Sequence, residues 1–253
     1  MDTTALRTVL YVDDEPDIRK IVQIALGLSK ELTVHIGESG AQALELARTF
    51  RPDVLLLDVM MPGLDGPGTL GKMREDPATA QIPVIFVTAK AMPSEVAKLR
   101  AMGAVGVIAK PFDPMQLITQ LRALWDGRAI EVSPLQEYGD KANLQLHVTQ
   151  LGDKFLQRTR DETVILHTLA EHAQDGDPVV MEQIERLAHK IHGSGSMFGY
   201  AAVSVCAGHL ESLAEEVKLR DTGVCAVIEP GVVQDLIDCT QRLAQAVEAA
   251  AEA

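Results

Sequence analysis

The stretch DVLLLDV, at residues 53–59, places four consecutive apolar residues before an aspartate. A short apolar run without polar alternation is typical of a strand that is buried on both faces, as in a parallel sheet. The aspartate, Asp58, then ends the strand, and parallel sheets present their chemistry at the carboxyl ends of their strands. This stretch therefore predicts both the fold class and a candidate reactive carboxylate.

Similar runs lie on both sides of it, and amphipathic stretches such as GAQALELARTF separate them. The other runs are TVLYV (8–12), LTVHI (32–36), PVIFVTA (83–89) and GVIAK (106–110). Strands that alternate with helices at this spacing predict an α/β unit with a parallel sheet covered on both faces. After residue 126 the strand pattern ends. We therefore predict an α/β domain at 1–126, a linker rich in Gly, Pro and Asp at 127–143, and an all-helical domain at 144–253.

Composition excludes several classes of function. The formal net charge of the 253 residues is −13, of which −10 falls after residue 126, and such an acidic half argues against direct nucleic-acid binding. The chain has no apolar run of membrane-spanning length and no signal-peptide pattern at its N-terminus, so we expect a soluble, cytoplasmic protein without membrane insertion. The cysteines, Cys206, Cys225 and Cys239, have no metal-binding or disulfide spacing, and we interpret them as packing residues.

Polar residues follow four of the predicted strands in the first half. Asp13 and Asp14 come after 8–12, Asp58 ends 53–59, Thr88 ends the fourth run and Lys110 ends the fifth. Three carboxylates at one sheet edge repel one another unless a divalent cation or Lys110 balances them. Oxygen ligands of this kind favour Mg²⁺, and such a site is suited to a phosphoryl group in transit, with a carboxylate as nucleophile.

The segments LYVDDE, LLLDVMMPGLDG, VIFVTAK and GVIAKPFDP resemble the four signature segments of response-regulator receiver domains, over about residues 6–126. The resemblance implies a flavodoxin-like five-stranded parallel sheet of order 2-1-3-4-5. It implies that Asp58 accepts phosphate, that Asp14, Asp58 and the Met60 carbonyl hold Mg²⁺, and that Asp13 acts through a water. Thr88 would be the switch hydroxyl and Lys110 the phosphate partner, with a cis bond to Pro111.

Two positions bear on alternatives to this interpretation. Receivers commonly have an aromatic switch residue two to three positions before the lysine, where this chain has Val107 and Ile108. A metal-dependent phosphatase that uses Asp58 is an alternative. It is disfavoured by Met60, because phosphatases of the haloacid-dehalogenase type place a second aspartate there.

The stretch LAHKIHGSGSMFG, at 187–199, carries the most informative residues of the helical half. On a helical wheel the apolar stripe Val180, Ile184, Leu187 and Ile191 lies about 180° from His189, which predicts a solvent-facing histidine. Glu182 and Glu185 are expected beside it. Gly193 and Ser196 are expected to leave bare surface on which another domain docks, although the glycines and serines at 193–196 are poor helix formers.

The same segment, extended to LAHKIHGSGSMFGYAAVSVCAGHLE, resembles the phosphorylated segment of histidine phosphotransfer (Hpt) domains, within a likeness that covers about 144–250. The resemblance implies a four-helix bundle in which His189 carries phosphate. The basic residue expected three positions later is replaced by His192, and Lys190 is a candidate source of charge. A zinc site built from His189 and His192, with His209 or Cys206, is disfavoured because the two side chains diverge on the wheel. The remaining histidines, His35, His147, His167 and His172, are interpreted as structural.

The two halves together predict a two-component phosphorelay protein rather than an enzyme with its own substrate. Asp58 would take a phosphoryl group from a phosphohistidine donor, and His189 would exchange one with a receiver aspartate of its own chain or a partner's. The chain has no Gly-rich phosphate loop, so a separate histidine kinase and a downstream receiver are the implied partners. Two alternatives stay open: phosphorylation of Asp58 gates the Hpt domain without direct transfer, or the Hpt domain is a silent scaffold.

Overall fold

The computed structural model describes residues 5–89, 91–127, 141–175, 177–220 and 228–252. It divides the chain into two compact units, Met1–Val148 and Thr149–Ala253. Most of the predicted linker, the side chain of His147 and Cys225 lie outside the described residues. None of the described helices combines the length and hydrophobicity that a membrane span requires.

The first unit alternates strands with helices, as the sequence predicts. Its elements are β1 (Thr8–Val12), α1 (Pro16–Gly27), β2 (Thr33–Gly37), α2 (Gly40–Phe50), β3 (Val54–Asp58), α3 (Gly66–Glu75), β4 (Val84–Thr88), α4 (Pro93–Ala101), β5 (Gly106–Ala109) and α5 (Leu117–Trp125). The strands form one five-stranded sheet of order β2-β1-β3-β4-β5, in which every pairing is parallel. This confirms the predicted flavodoxin-like order.

The central strand, β3, is buried along its whole length because helices cover both faces of the sheet. Side chains alternate between the faces, so Leu55 and Leu57 pack with α2 and α3 in one apolar cluster. Side-chain caps fix the starts of these two helices: Ser39 accepts from the Gln42 amide, and Asp65 accepts from the Gly68 amide.

The second unit is helical. Its elements are α6 (Lys141–Glu171), which begins before the boundary between the units, a short 3₁₀ helix (Ala173–Asp175), α7 (Pro178–Met197), α8 (Ala201–Arg220) and α9 (Pro230–Ala251). The four α-helices share one core, to which Phe155, Ile184, Leu210 and Leu243 each contribute from a different helix. This confirms the predicted helical bundle.

Helix α7 continues through the Gly-Ser segment at 193–196, where the low helix propensity of these residues predicts a weak point. It begins with Asp177 as a side-chain cap and Pro178 in the first turn. It ends only at Met197, after which Gly199 takes a left-handed conformation with φ of 88°. Small residues are favoured within the helix because α8 lies close against it: a Cβ at Gly195 would come within 3.1 Å of the Ser204 backbone nitrogen.

Candidate functional site

Adjacent strands bring the predicted acidic residues of the first unit together. Because β1, β3, β4 and β5 are parallel neighbours, their carboxyl ends lie at one edge of the sheet. Asp13 follows β1, Asp58 ends β3, Thr88 ends β4 and Lys110 follows β5, and all four side chains are buried. Asp14, which also follows β1, is half-buried.

Lys110 ties two of the carboxylates together. Its Nζ donates to Oδ2 of Asp13 at 2.7 Å and to Oδ1 of Asp58 at 2.9 Å. Burial by itself lowers the pKa of Lys110, but the carboxylates of Asp13 and Asp58 outweigh burial and raise its pKa well above the usual range. Because the folded-state pKa is raised, the charged lysine stabilises the fold at neutral pH, and this contribution is lost as the pH rises through the raised pKa.

Tyr11, which sequence reasoning missed, also contacts this pocket. Its hydroxyl donates to Oδ2 of Asp13 at 2.6 Å, and its ring is fully buried. Burial, followed by the charge of Asp13, raises the pKa of the Tyr11 phenol, so the hydroxyl keeps its proton and stays a donor. The sequence did offer a signal: Tyr11 stands two positions before Asp13, and residues two apart along an extended segment share a face.

The carboxylates of Asp13, Asp14 and Asp58 fit a divalent cation. Their oxygens include one from each residue that all lie within 4.8 Å of one another. Among the residues that the structure describes, three carboxylates meet one buried ammonium group, so the pocket has an excess of negative charge. All-oxygen donors suit Mg²⁺.

The loops after β3 and β5 complete this end of the sheet. A Cβ at Gly66 would lie 2.3 Å from the carbonyl oxygen of Asp58, so the start of α3 approaches β3 more closely than other residues allow. Met60, whose carbonyl is an expected ligand, lies half-buried in the β3–α3 loop. The Lys110–Pro111 bond is cis, as the resemblance implies. In β5, Val107 is half-buried and Ile108 is buried.

His189, the candidate phosphoryl carrier, does not point at solvent, so this prediction from the helical wheel was wrong. It is 6% exposed, and its Nδ1 lies 2.8 Å from Oε1 of Glu211 on α8. The wheel describes one helix by itself, whereas α7 is covered on more than one side and α8 supplies a carboxylate to its polar side. Glu182 is exposed, and Glu185 pairs with Lys218 at 2.6 Å.

The same carboxylate also binds His192. Nδ1 of His192 lies 3.0 Å from Oε2 of Glu211, and 33% of the His192 side chain remains exposed. Glu211 itself is buried. The two histidines of LAHKIHGSGSMFG are therefore linked through Glu211, which lies 22 and 19 positions further along the chain and outside that stretch.

The other expected supporting residues have structural contacts. Lys190 donates to Oε1 of Glu162 on α6 at 2.9 Å, which directs its charge toward α6. Gly193 is buried, so the prediction that it leaves bare surface for docking was wrong. Ser196 donates to the Ser204 hydroxyl, which in turn donates to the carbonyl of His192. These bonds join α7 to α8 next to the two imidazoles.

Comparison with known proteins identifies both units. The response regulator receiver domain family matches residues 9–122, and the Hpt domain family matches residues 150–253. The chain is 32% identical to the nitrate/nitrite response regulator protein NarP of Escherichia coli over 190 residues, which cover 73% of this chain and 84% of that protein. It is 30% identical to the probable transcriptional regulator ycf29 of Pyropia yezoensis over 157 residues, which cover 62% of this chain and 68% of that protein.

Among solved structures, chemotaxis protein CheY4 of Vibrio cholerae is 31% identical to this chain, with a TM-score of 0.44. The match covers 47% of this chain and 99% of the CheY4 chain. The chain spans about half the length of several other curated relatives. The two family matches lie on the two units that carry the acidic pocket and the paired histidines. The chain belongs to the response-regulator family, and its receiver domain and Hpt domain together indicate two-component phosphorelay signalling.

Proposed function

We propose that Asp58 is the phosphoryl acceptor of the receiver domain, at 1–126, and that His189 is a phosphoryl carrier of the Hpt domain, at 144–253, with a linker at 127–143. The observation that carries the proposal is Lys110, whose Nζ lies within hydrogen-bonding distance of both Asp13 and Asp58. A fixed cation beside a carboxylate nucleophile supplies the charge that an arriving phosphoryl group requires.

In the first transfer an oxygen of Asp58 attacks the phosphorus of a phosphohistidine. The new bond is an acyl phosphate, the P–N bond to the donor breaks, and the donor imidazole leaves with its electron pair. Lys110 neutralises a phosphoryl oxygen, and the Thr88 hydroxyl, at the end of the neighbouring strand, donates a hydrogen bond to another.

Asp14, Asp58 and the carbonyl of Met60 would hold Mg²⁺ directly, and Asp13 would hold it through a water. When bound, the ion supplies positive charge to the phosphoryl oxygens. Support comes from the oxygen-only donor set and from the excess of carboxylates over the single Lys110 charge.

At the Hpt domain, Nε2 of His189 exchanges the phosphoryl group with a receiver aspartate. Nε2 attacks phosphorus, the bond from phosphorus to the aspartate oxygen breaks, and the aspartate leaves as a carboxylate. Glu211 keeps the proton on Nδ1 and stabilises the cationic ring that forms, because its Oε1 lies 2.8 Å from Nδ1. The partners are a histidine kinase and the receiver of a downstream response regulator. Because the sequence carries no Gly-rich phosphate loop, we assign the supply of phosphoryl groups to the separate kinase.

The first experiment tests Asp58 in the full chain. Acetyl phosphate with Mg²⁺ is expected to give a hydroxylamine-sensitive adduct in the wild type and in Asp113→Asn, a matched change at an exposed aspartate of the same unit. Asp58→Asn is expected to lose the adduct. An undiminished adduct in Asp58→Asn contradicts this assignment.

The second experiment tests His189 with two variants of the chain. The donor is His189→Gln/His192→Gln, labelled on Asp58 and freed of acetyl phosphate, and the acceptor is Asp58→Asn. Tandem mass spectrometry is expected to localise an acid-labile, base-stable phosphate to His189 of the acceptor. If the donor loses its phosphate only by hydrolysis and the acceptor gains none, phosphoryl transfer through the Hpt domain is contradicted.

A further inference from the structure

Glu211 holds two imidazoles in the same way. Its two carboxylate oxygens lie 2.8 Å and 3.0 Å from the Nδ1 atoms of His189 and His192. From this shared carboxylate we propose that His192 is a second phosphoryl-accepting histidine of the chain. The inference rests on the proposed function, since it assumes that a receiver acyl phosphate is the donor, and it adds an acceptor that the Hpt pattern does not include.

The contacts to Glu211 determine the tautomer of each ring. An ionised carboxylate only accepts hydrogen bonds, so each Nδ1 in contact with Glu211 carries the hydrogen. In a neutral imidazole the other nitrogen, Nε2, then holds the lone pair. Glu211 therefore presets both rings as Nε2 nucleophiles, and each ring gains a carboxylate that stabilises the cation formed on phosphorylation.

The two histidines differ in their exposure. The His189 side chain is 7% exposed and the His192 side chain is 33% exposed, so His192 presents the larger surface to an incoming receiver domain. Transfer requires close in-line approach to phosphorus, which favours the less covered of the two rings.

Helix α8 holds His192 in position. The His192 ring lies against α8 at Gly208, where a Cβ would approach its Cε1 and Nδ1 to 3.0 Å. The His192 carbonyl accepts from the Ser204 hydroxyl at 2.8 Å. Contacts to three residues of α8 thus hold His192 in place, which is what a reacting group requires and what an incidental surface histidine lacks.

Other histidines of the same unit offer a comparison. Nδ1 of His172 lies 2.7 Å from the carbonyl oxygen of Thr168, so its tautomer is also fixed, but its partner is a neutral carbonyl. Nδ1 of His167 lies 2.9 Å from the Thr240 hydroxyl. His172 is exposed, and no carboxylate among the described side chains pairs with it, so it is a matched control for exposure.

The proposed step balances without any further reactant. The Nε2 lone pair of His192 forms a bond to the phosphorus of an aspartyl phosphate, and the bond between phosphorus and the aspartate oxygen breaks. The aspartate leaves as a carboxylate, and His192 becomes an Nε2-phosphorylated imidazolium whose hydrogen stays on Nδ1 and is donated to Glu211.

The test uses the labelled donor chain described above with full-length acceptors. We expect phosphate on both His189 and His192 of Asp58→Asn, located by tandem mass spectrometry. In Asp58→Asn/His189→Gln the label at His192 should persist, and adding His192→Gln should remove it, whereas adding His172→Gln should not. Phosphoramidate, a small donor that requires no docking, should label His192 at least about tenfold faster than His172, and Glu211→Gln should remove this advantage.

The outcomes separate the two proposals. Label at His189 with none at His192, in the acceptor that retains both histidines, overturns the inference and leaves the proposed function intact. Label at neither histidine overturns the proposed function. Because the labelled histidine is identified in the Asp58→Asn acceptor, the result does not depend on whether the His189→Gln variant folds. Circular dichroism checks that each variant is folded.

Discussion

Tyr11 shows how one hydroxyl helps to hold the acidic pocket in place. Asp13 accepts from Tyr11 and Lys110 at Oδ2 and from the Glu15 amide at Oδ1, so its carboxylate is held on both oxygens. We predict that Tyr11→Phe, which keeps the buried ring, lowers the free energy of unfolding by about 1–2 kcal/mol, because a hydrogen bond to a buried charge is lost. Chemical denaturation without Mg²⁺ measures this.

Trp125, the sole tryptophan, lies in α5, so its fluorescence follows the receiver domain. Tyr200→Phe is the control, because it removes a hydroxyl from the other unit and should leave the Trp125 transition unchanged. A Tyr11→Phe chain as stable as the wild type would mean that Asp13 is held by Lys110 and the Glu15 amide without help from the phenol.

The residue-scale predictions succeeded where backbone placement alone fixes the outcome. Asp13, Asp58 and Lys110 could be grouped from the sequence because parallel strands end at a common edge. The burial of His189 could not be predicted from the sequence, because it depends on Glu211, a polar residue from another helix. A helical wheel ranks the faces of one helix by hydrophobicity, and it gives no sign that a buried carboxylate lies opposite a polar face.

At the scale of elements, the contact between α7 and α8 rests on small residues. A Cβ at Gly195 would press on the backbone of Ser204, whereas one at Gly231, in the first turn of α9, meets nothing within 4 Å. We predict that Gly195→Ala lowers the free energy of unfolding of the Hpt domain by about 1–3 kcal/mol through overpacking.

Gly231→Ala is the matched control, and it should be neutral or stabilising by up to about 1 kcal/mol because alanine has the higher helix propensity. Helical circular dichroism during denaturation compares the two variants. Equal stability of the two alanine variants would show that α8 moves away from α7 without cost.

The strands were the elements that sequence predicted best. Each of the five apolar runs overlaps a strand, and β1 has the predicted bounds. Helix α7 was harder to predict. The low helix propensity of residues 193–196 indicates a weak point, whereas close packing against α8 favours the same small residues. Tertiary packing decides that this segment is helical, and a local sequence pattern does not contain that information.

At the scale of the whole molecule, the chain consists of two compact units with separate cores. The acidic pocket lies in the first, and the paired histidines lie in the second. A ligand that binds one unit therefore stabilises that unit, unless the two units unfold together.

This separation gives a prediction for Mg²⁺. Because the three carboxylates of the pocket all belong to the receiver domain, Mg²⁺ at about 100 times its dissociation constant should stabilise that domain by about 2.7 kcal/mol. Thermal unfolding followed by Trp125 fluorescence should shift upward. The second transition, followed by circular dichroism, should stay in place. Asp14→Asn, which removes one pocket carboxylate, should weaken the shift. An equal shift of both transitions would show that the two units unfold as one cooperative body, and no shift of either would argue against the metal site.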